Sequence, residues 1–146
     1  MARYSVGDRS TGAGSTTLPT ASLYASANVA PKIREVGVFN TTTTSVAICL
    51  RRLTTAGTQG TGLTELEYDP ASPDPVTTGF QTHTVGPTIS TGYIRIAPLG
   101  AAVGAGVIWT FGDTGLVIPA GTGNGIGICV YTGTGQILDF YFDWDE

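Results

Sequence analysis

The sequence predicts an all-β protein: an antiparallel two-sheet sandwich of jelly-roll type carrying an extended N-terminal arm. Three observations point there. The closing run QILDFYFDWDE alternates strictly, with Leu138, Phe140, Phe142 and Trp144 on one face and Asp139, Tyr141, Asp143 and Asp145 on the other. A helix would mix those two sets around its circumference, so the run reads as a strand with one buried face. No segment shows helical spacing over a useful length, and the Ala-Gly stretch 100–106 holds too much glycine to be a helix. The remaining apolar runs are short, uneven in spacing and punctuated by turn residues, which suits two packed sheets better than a closed up-and-down barrel.

Residues 1–28 read as the arm. They are rich in Ser, Thr, Gly and Ala, without sustained periodicity, and their few anchors are Tyr4, Leu18, Leu23 and Tyr24. Alone they bury too little to become ordered. Either another subunit pins them or they pack back on their own domain.

Residues 29–146 form the sandwich domain, with eight or nine strands. In PKIREVGVFN, Ile33, Val36 and Val38 are apolar, and the phase slip at Arg34-Glu35 predicts a bulge. Thr41–Thr44 turn the chain into SVAICLRRLT, where Val46, Ile48 and Leu50 alternate with Ala47 and Cys49, so both faces should be covered. Prolines and turn residues mark Tyr68–Gly79 as a long loop. FQTHTV, GYIRIAPL, GVIWTFGD and LVIPA then read as strands. Ile94 and Ile96 should share one face opposite Tyr93 and Arg95, and Val107, Trp109 and Phe111 should share another.

The stretch LVIPAGTGNGIGICVYTGTG has glycine at 121, 123, 125 and 127. A dinucleotide loop needs G-x-G-x-x-G between a strand and a helix, and here the spacing differs and a strand follows. With no helix N-terminus there is no built-in phosphate site, and no G-K-[ST] is present. The run is expected to be a hairpin, LVIP to GIGICVY, turning at Asn124-Gly125, a dipeptide that favours positive φ.

Composition narrows the function. The chain has 146 residues, one domain's worth, and 41% hydrophobic residues exclude compositional disorder. Charged residues make up only 12%, about half the usual share, which hints at a surface covered by other subunits. Net charge is −4, and the seven basic residues are scattered, with only Arg51 and Arg52 adjacent. Nucleic acid would demand a clustered positive footprint, so it is not an expected partner. Neither is a membrane, because no window approaches a spanning length. MARYSVGDRSTGAGS lacks the apolar core of a signal peptide, which implies a protein made in a cytoplasm or released by lysis. Cys49 and Cys129 each sit in an apolar run. They read as buried small hydrophobes in a reducing compartment, with a disulfide between neighbouring strands as the alternative.

Catalytic groups are sparse. His83 is the only histidine, without a G-x-S-x-G motif, so it reads as structural rather than as part of a hydrolase triad. A lone histidine also argues against a cupin-like metal site. The carboxylates of DFYFDWDE lie side by side on one strand face, which reads as a solvated acidic edge that discourages strand pairing. Asp69 and Asp74 read as turn formers. Tyr4, Tyr24, Tyr68 and Tyr93 are either contact residues or half-buried packing, and Trp109 and Trp144 read as core. Neither a catalytic residue, nor a cofactor, nor a metal is expected.

The runs REVGVFNTTTTSVAICLRRLTTAGTQG, VGAGVIWTFGDTGLVIPAGTGNGIGICV and FYFDWDE resemble small structural proteins of tailed bacteriophages. Within that group the chain is most similar to jelly-roll capsid decoration (cement) proteins and head-fibre proteins. The resemblance spans residues 31–146 as a general pattern, without a signature motif. It implies a non-enzymatic virion protein, a homotrimer on the outer capsid surface, which binds the major capsid protein and braces the shell. It also implies an arm that lies across a neighbour, so Arg3, Tyr4, Arg9, Leu18, Leu23 and Tyr24 are the expected docking residues. The alternative is a tail or fibre module that binds a host glycan through the loops 68–79 and 119–125, where Tyr68, Asp69 and Asn124 lie.

Overall fold

A computed structural model describes all 146 residues, with twelve strands and no helix. The strands are β1 (Arg3–Arg9), β2 (Ala21–Tyr24), β3 (Lys32–Asn40), β4 (Val46–Leu53), β5 (Thr58–Gly62), β6 (Leu66–Glu67), β7 (Thr78–Val85), β8 (Arg95–Leu99), β9 (Gly106–Thr110), β10 (Leu116–Val117), β11 (Gly125–Thr132) and β12 (Leu138–Asp145). The first sheet runs β10-β3-β12-β1-β6, with β9 also on the outer side of β3; the second runs β5-β7-β2-β11-β4-β8. All pairings are antiparallel.

The connectivity is that of a folded ribbon. β1 pairs with β12, β2 with β11, β3 with β9 and β4 with β8. Those nested pairs fall alternately in the first and second sheets, which is the jelly-roll arrangement of an all-β sandwich. β5, β6 and β7 lie between β4 and β8 in sequence and widen both sheets beyond β1 and β2.

The alternation within strands decides the core. Leu138, Phe140, Phe142 and Trp144 of β12 meet Val36, Val38 and Trp109 from the first sheet and Ile48, Leu50, Ile126 and Ile128 from the second. Val107, Trp109 and Phe111 face that core together, as their spacing predicts. The predicted bulge is present: Asp143 pairs with Glu35 and Trp144 with Ile33, which leaves Arg34 as the extra residue.

Residues 1–28 are not an extended arm. Tyr4 and Val6 of β1 point into the core, and β1 pairs along its whole length with β12. β2 is central in the second sheet, between β7 and β11, and all four of its residues are buried. The seven-residue and four-residue strands are too short to show a period, and their order comes from pairing with distant partners.

Three further expectations are corrected. LVIP and GIGICVY form no hairpin, because β10 belongs to the first sheet and β11 to the second. Positive φ falls at Gly121, not at Asn124 or Gly125. Gly125 is required for closeness: a Cβ there would lie 2.8 Å from the Leu23 carbonyl oxygen and from the Tyr24 ring. β12 is a central strand, so its acidic residues do not guard an edge. Ile94 and Ile96 do not share a face: Ile94 packs on the core, whereas Ile96 is 46% exposed, because β8 starts at Arg95 and buries Ala97 and Leu99 instead.

Candidate interaction surface

Odd-numbered residues of β4 and β11 point away from the sandwich core. On that outer face Cys49 stands directly opposite Cys129, with Ile96 of β8 opposite Cys49 on its other side. Arg51 lies two residues along β4 from Cys49, and Tyr131 lies two residues along β11 from Cys129. The ladder shifts register between Val130 and Thr132, so Tyr131 is a bulged residue. Such a bulge turns a side chain outward.

Tyr93, in the loop before β8, joins these positions. Its ring meets Tyr131 edge-on at 5.2 Å, and the Arg51 guanidinium sits 4.8 Å from its centroid. Arg51 also donates to the Ser90 carbonyl, which ties the loop to the sheet. The Tyr93 ring therefore spans the row that holds Cys49 and Cys129. Both thiols are free and fully buried although they lie on an outer face. Burial pushes them up, Cys49 to about 11 and Cys129 to about 12, so neither is a poised nucleophile. Tyr93 and Tyr131 themselves remain 46% and 40% exposed. Together with Ile96 and Arg51 they form an aromatic, apolar and cationic patch on a rigid sheet. Aromatic residues and arginine are the types enriched at protein–protein contacts.

Residues 88–90 run antiparallel beside the end of β4, with Thr54 N–H bonded to the Thr88 carbonyl and Ser90 N–H to the Arg52 carbonyl. On β2 and β7 Ser22 Oγ lies 2.9 Å from His83 Nε2, both buried. Burial holds the imidazole below its ordinary range. No carboxylate bonds to this pair.

The six residues expected to dock are not brought together. Tyr4 and Leu23 are core residues. Tyr24 lies under the 54–57 loop, its hydroxyl donating to the Thr55 carbonyl at 3.3 Å. Leu18 is half-buried in the β1–β2 connection. Arg3 and Arg9 are exposed on the outer face of the first sheet, but both are engaged, Arg3 with Asp145 at 3.0 Å and Arg9 with Asp139 at 2.7 Å.

That outer face accounts for the acidic residues. Asp145 is held by Arg3 and Arg34, Asp139 by Arg9, and Asp143 accepts from the Tyr68 hydroxyl at 2.8 Å. Tyr141 donates to Glu35 and lies across Gly37, where a side chain would collide with its ring. Asp69 is the turn former expected, its carboxylate accepting from Ala71 N–H. Asn124 is likewise occupied, its amide donating to the Ala120 carbonyl.

Comparison with known proteins finds no family, no curated protein and no solved structure that matches this chain.

Proposed function

We propose that this chain is a structural protein that decorates the outer capsid surface of a tailed bacteriophage, binding the major capsid protein and bracing the shell. The observation that carries the reading is the patch of Arg51, Tyr93, Ile96 and Tyr131, built on a jelly-roll sandwich. The phage-like pattern of residues 31–146 gives the patch its context. In this reading the patch, rather than an N-terminal arm, makes the contact. Tyrosine contributes a large area at little entropic cost, and Arg51, bonded to the Ser90 carbonyl and set against the Tyr93 ring, holds that ring in place. Each contact is modest. Repetition over a symmetric shell turns many such contacts into firm retention.

The test is co-sedimentation of purified protein with shells assembled from the major capsid protein. The wild-type protein should pellet with shells, and the Tyr93→Ala/Tyr131→Ala double variant should bind at least about tenfold more weakly, as loss of interface anchors does. Equal binding by wild type and variant, or binding to host cells in place of shells, would contradict the proposal.

A further inference from the structure

Five strands, β5, β6, β8, β9 and β10, end the two sheets with a free side, and four of them are blocked or too short. β6 and β10 are only two residues long. β5 is interrupted by a register shift between Thr58 and Gln59 and carries Gly60 and Gly62. On β8, Ala97 and Leu99 face β4, so Ile96 and Pro98 face outward. Pro98 has no N–H to offer, which is a common way to protect an edge.

β9 has no such protection. Ala105 and Phe111 bond β3 through the Asn40 N–H and the Arg34 carbonyl. The alternation therefore turns Gly106, Ile108 and Thr110 outward, each with a free N–H and C=O. The strand, GVIWT, has neither a charge nor a proline. Ile108 is 52% exposed, and Val103, in the connection leading into β9, is 70% exposed.

We propose that the free edge of β9 pairs antiparallel with β9 of a second copy of this chain. The register is self-complementary. With Ile108 opposite its own counterpart, Gly106 faces Thr110 of the other copy and Thr110 faces its Gly106. Every outward group then finds a partner, and each of these pairs exchanges both bonds. A shift by one residue sets outward groups opposite inward-facing ones, and a shift by two loses one pair, so the two-fold arrangement centred on Ile108 is the favoured one. The first sheets of two copies become one continuous sheet, with the two Ile108 side chains in contact on its outer face. A five-residue pairing buries less than the ~1,200 Å² of a standard interface, so free in solution it is weak, with a Kd on the order of 10–100 μM. This inference does not depend on the capsid reading.

Sedimentation equilibrium of the purified full chain over a wide concentration range tests it. The wild-type protein should form a concentration-dependent dimer, and the Gly106, Ile108 and Thr110 amides should exchange more slowly with solvent at high concentration. Ile108→Pro removes the central N–H, and Ile108→Lys places a charge at the two-fold axis. Both should weaken dimerisation at least tenfold while circular dichroism and thermal midpoint confirm folding. Leu66→Lys, on β6 at the opposite end of the first sheet, should leave dimerisation unchanged. A wild-type chain that stays monomeric up to about ten times the upper Kd would overturn the proposal. So would an oligomer that the folded Ile108→Lys variant retains.

Discussion

The ring of Tyr4 stacks on the indole of Trp144, with centroids 5.8 Å apart and planes 28° apart. This contact joins the first strand of the chain to the last, and the Tyr4 hydroxyl continues to the Pro73 carbonyl at 2.9 Å. Both rings are buried, and burial raises the Tyr4 hydroxyl above the ordinary tyrosine range. β1 is thus part of the sandwich that it closes.

Tyr4→Ala should therefore cost about 3–5 kcal/mol, the range for losing a large buried ring. For a chain of this size that lowers the thermal midpoint by roughly 10 °C or more. Removal of residues 1–28 should give an unfolded or aggregated product, because it strips β1 and β2 from the middle of both sheets. Denaturation monitored by circular dichroism checks both. A truncated chain with wild-type stability would contradict this assignment.

Stability should fall with acid in two stages. His83 is held neutral by burial, so its folded pKa lies below the unfolded value of about 6.5. In that interval the unfolded chain binds the extra proton, and stability decreases as pH falls from about 6.5. The second stage belongs to carboxylates. Arg9 holds Asp139 below the usual range. Burial alone would raise Asp145, but hydrogen bonds from Arg3 and Arg34 outweigh it and its net shift is downward. Their contribution is complete above the unfolded value of about 3.9 and disappears as pH falls through the folded values. Thermal midpoints across this range check both stages. His83→Asn should flatten only the first, and Asp145→Asn should make the second shallower. Identical profiles for wild type and His83→Asn would contradict the first assignment.

Cys49 and Cys129 should resist alkylation in the native protein at pH 8 and react fully in denaturant, since both thiols are buried and pushed far above that pH. Tyr93→Ala should open the row beneath it and raise the native labelling rate at least about tenfold, as burial and thiolate access control reactivity. Mass spectrometry of iodoacetamide-treated protein measures this. Equal rates for wild type and Tyr93→Ala would show that the ring does not shield the pair.

Much of the fold was legible where a strand carries its own period. β12 announces its buried face, and the slip at Arg34 announces the bulge. The N-terminal strands were not legible, because ASLY is buried on both faces and RYSVGDR has only two core residues, Tyr4 and Val6. Their place depends on β12 and β11, more than a hundred residues away. The apparent hairpin at Asn124 failed for a similar reason. Local turn preference there yielded to the crossing between sheets and to the tight packing of Gly125 on Tyr24. Of the surface patch, Tyr93 was readable as a contact or as packing. Tyr131 and Ile96 carried no local signal, because a bulge and a strand boundary decide which way they point.

The central claim is that this chain coats a capsid shell. Quantitative mass spectrometry of purified virus particles from lysates that contain the chain, counted against the major capsid protein, is the decisive measurement for this proposal. The expected ratio is comparable to the shell subunit, because only the shell offers so many equivalent sites. A handful of copies per particle, or absence from the particle, would contradict it.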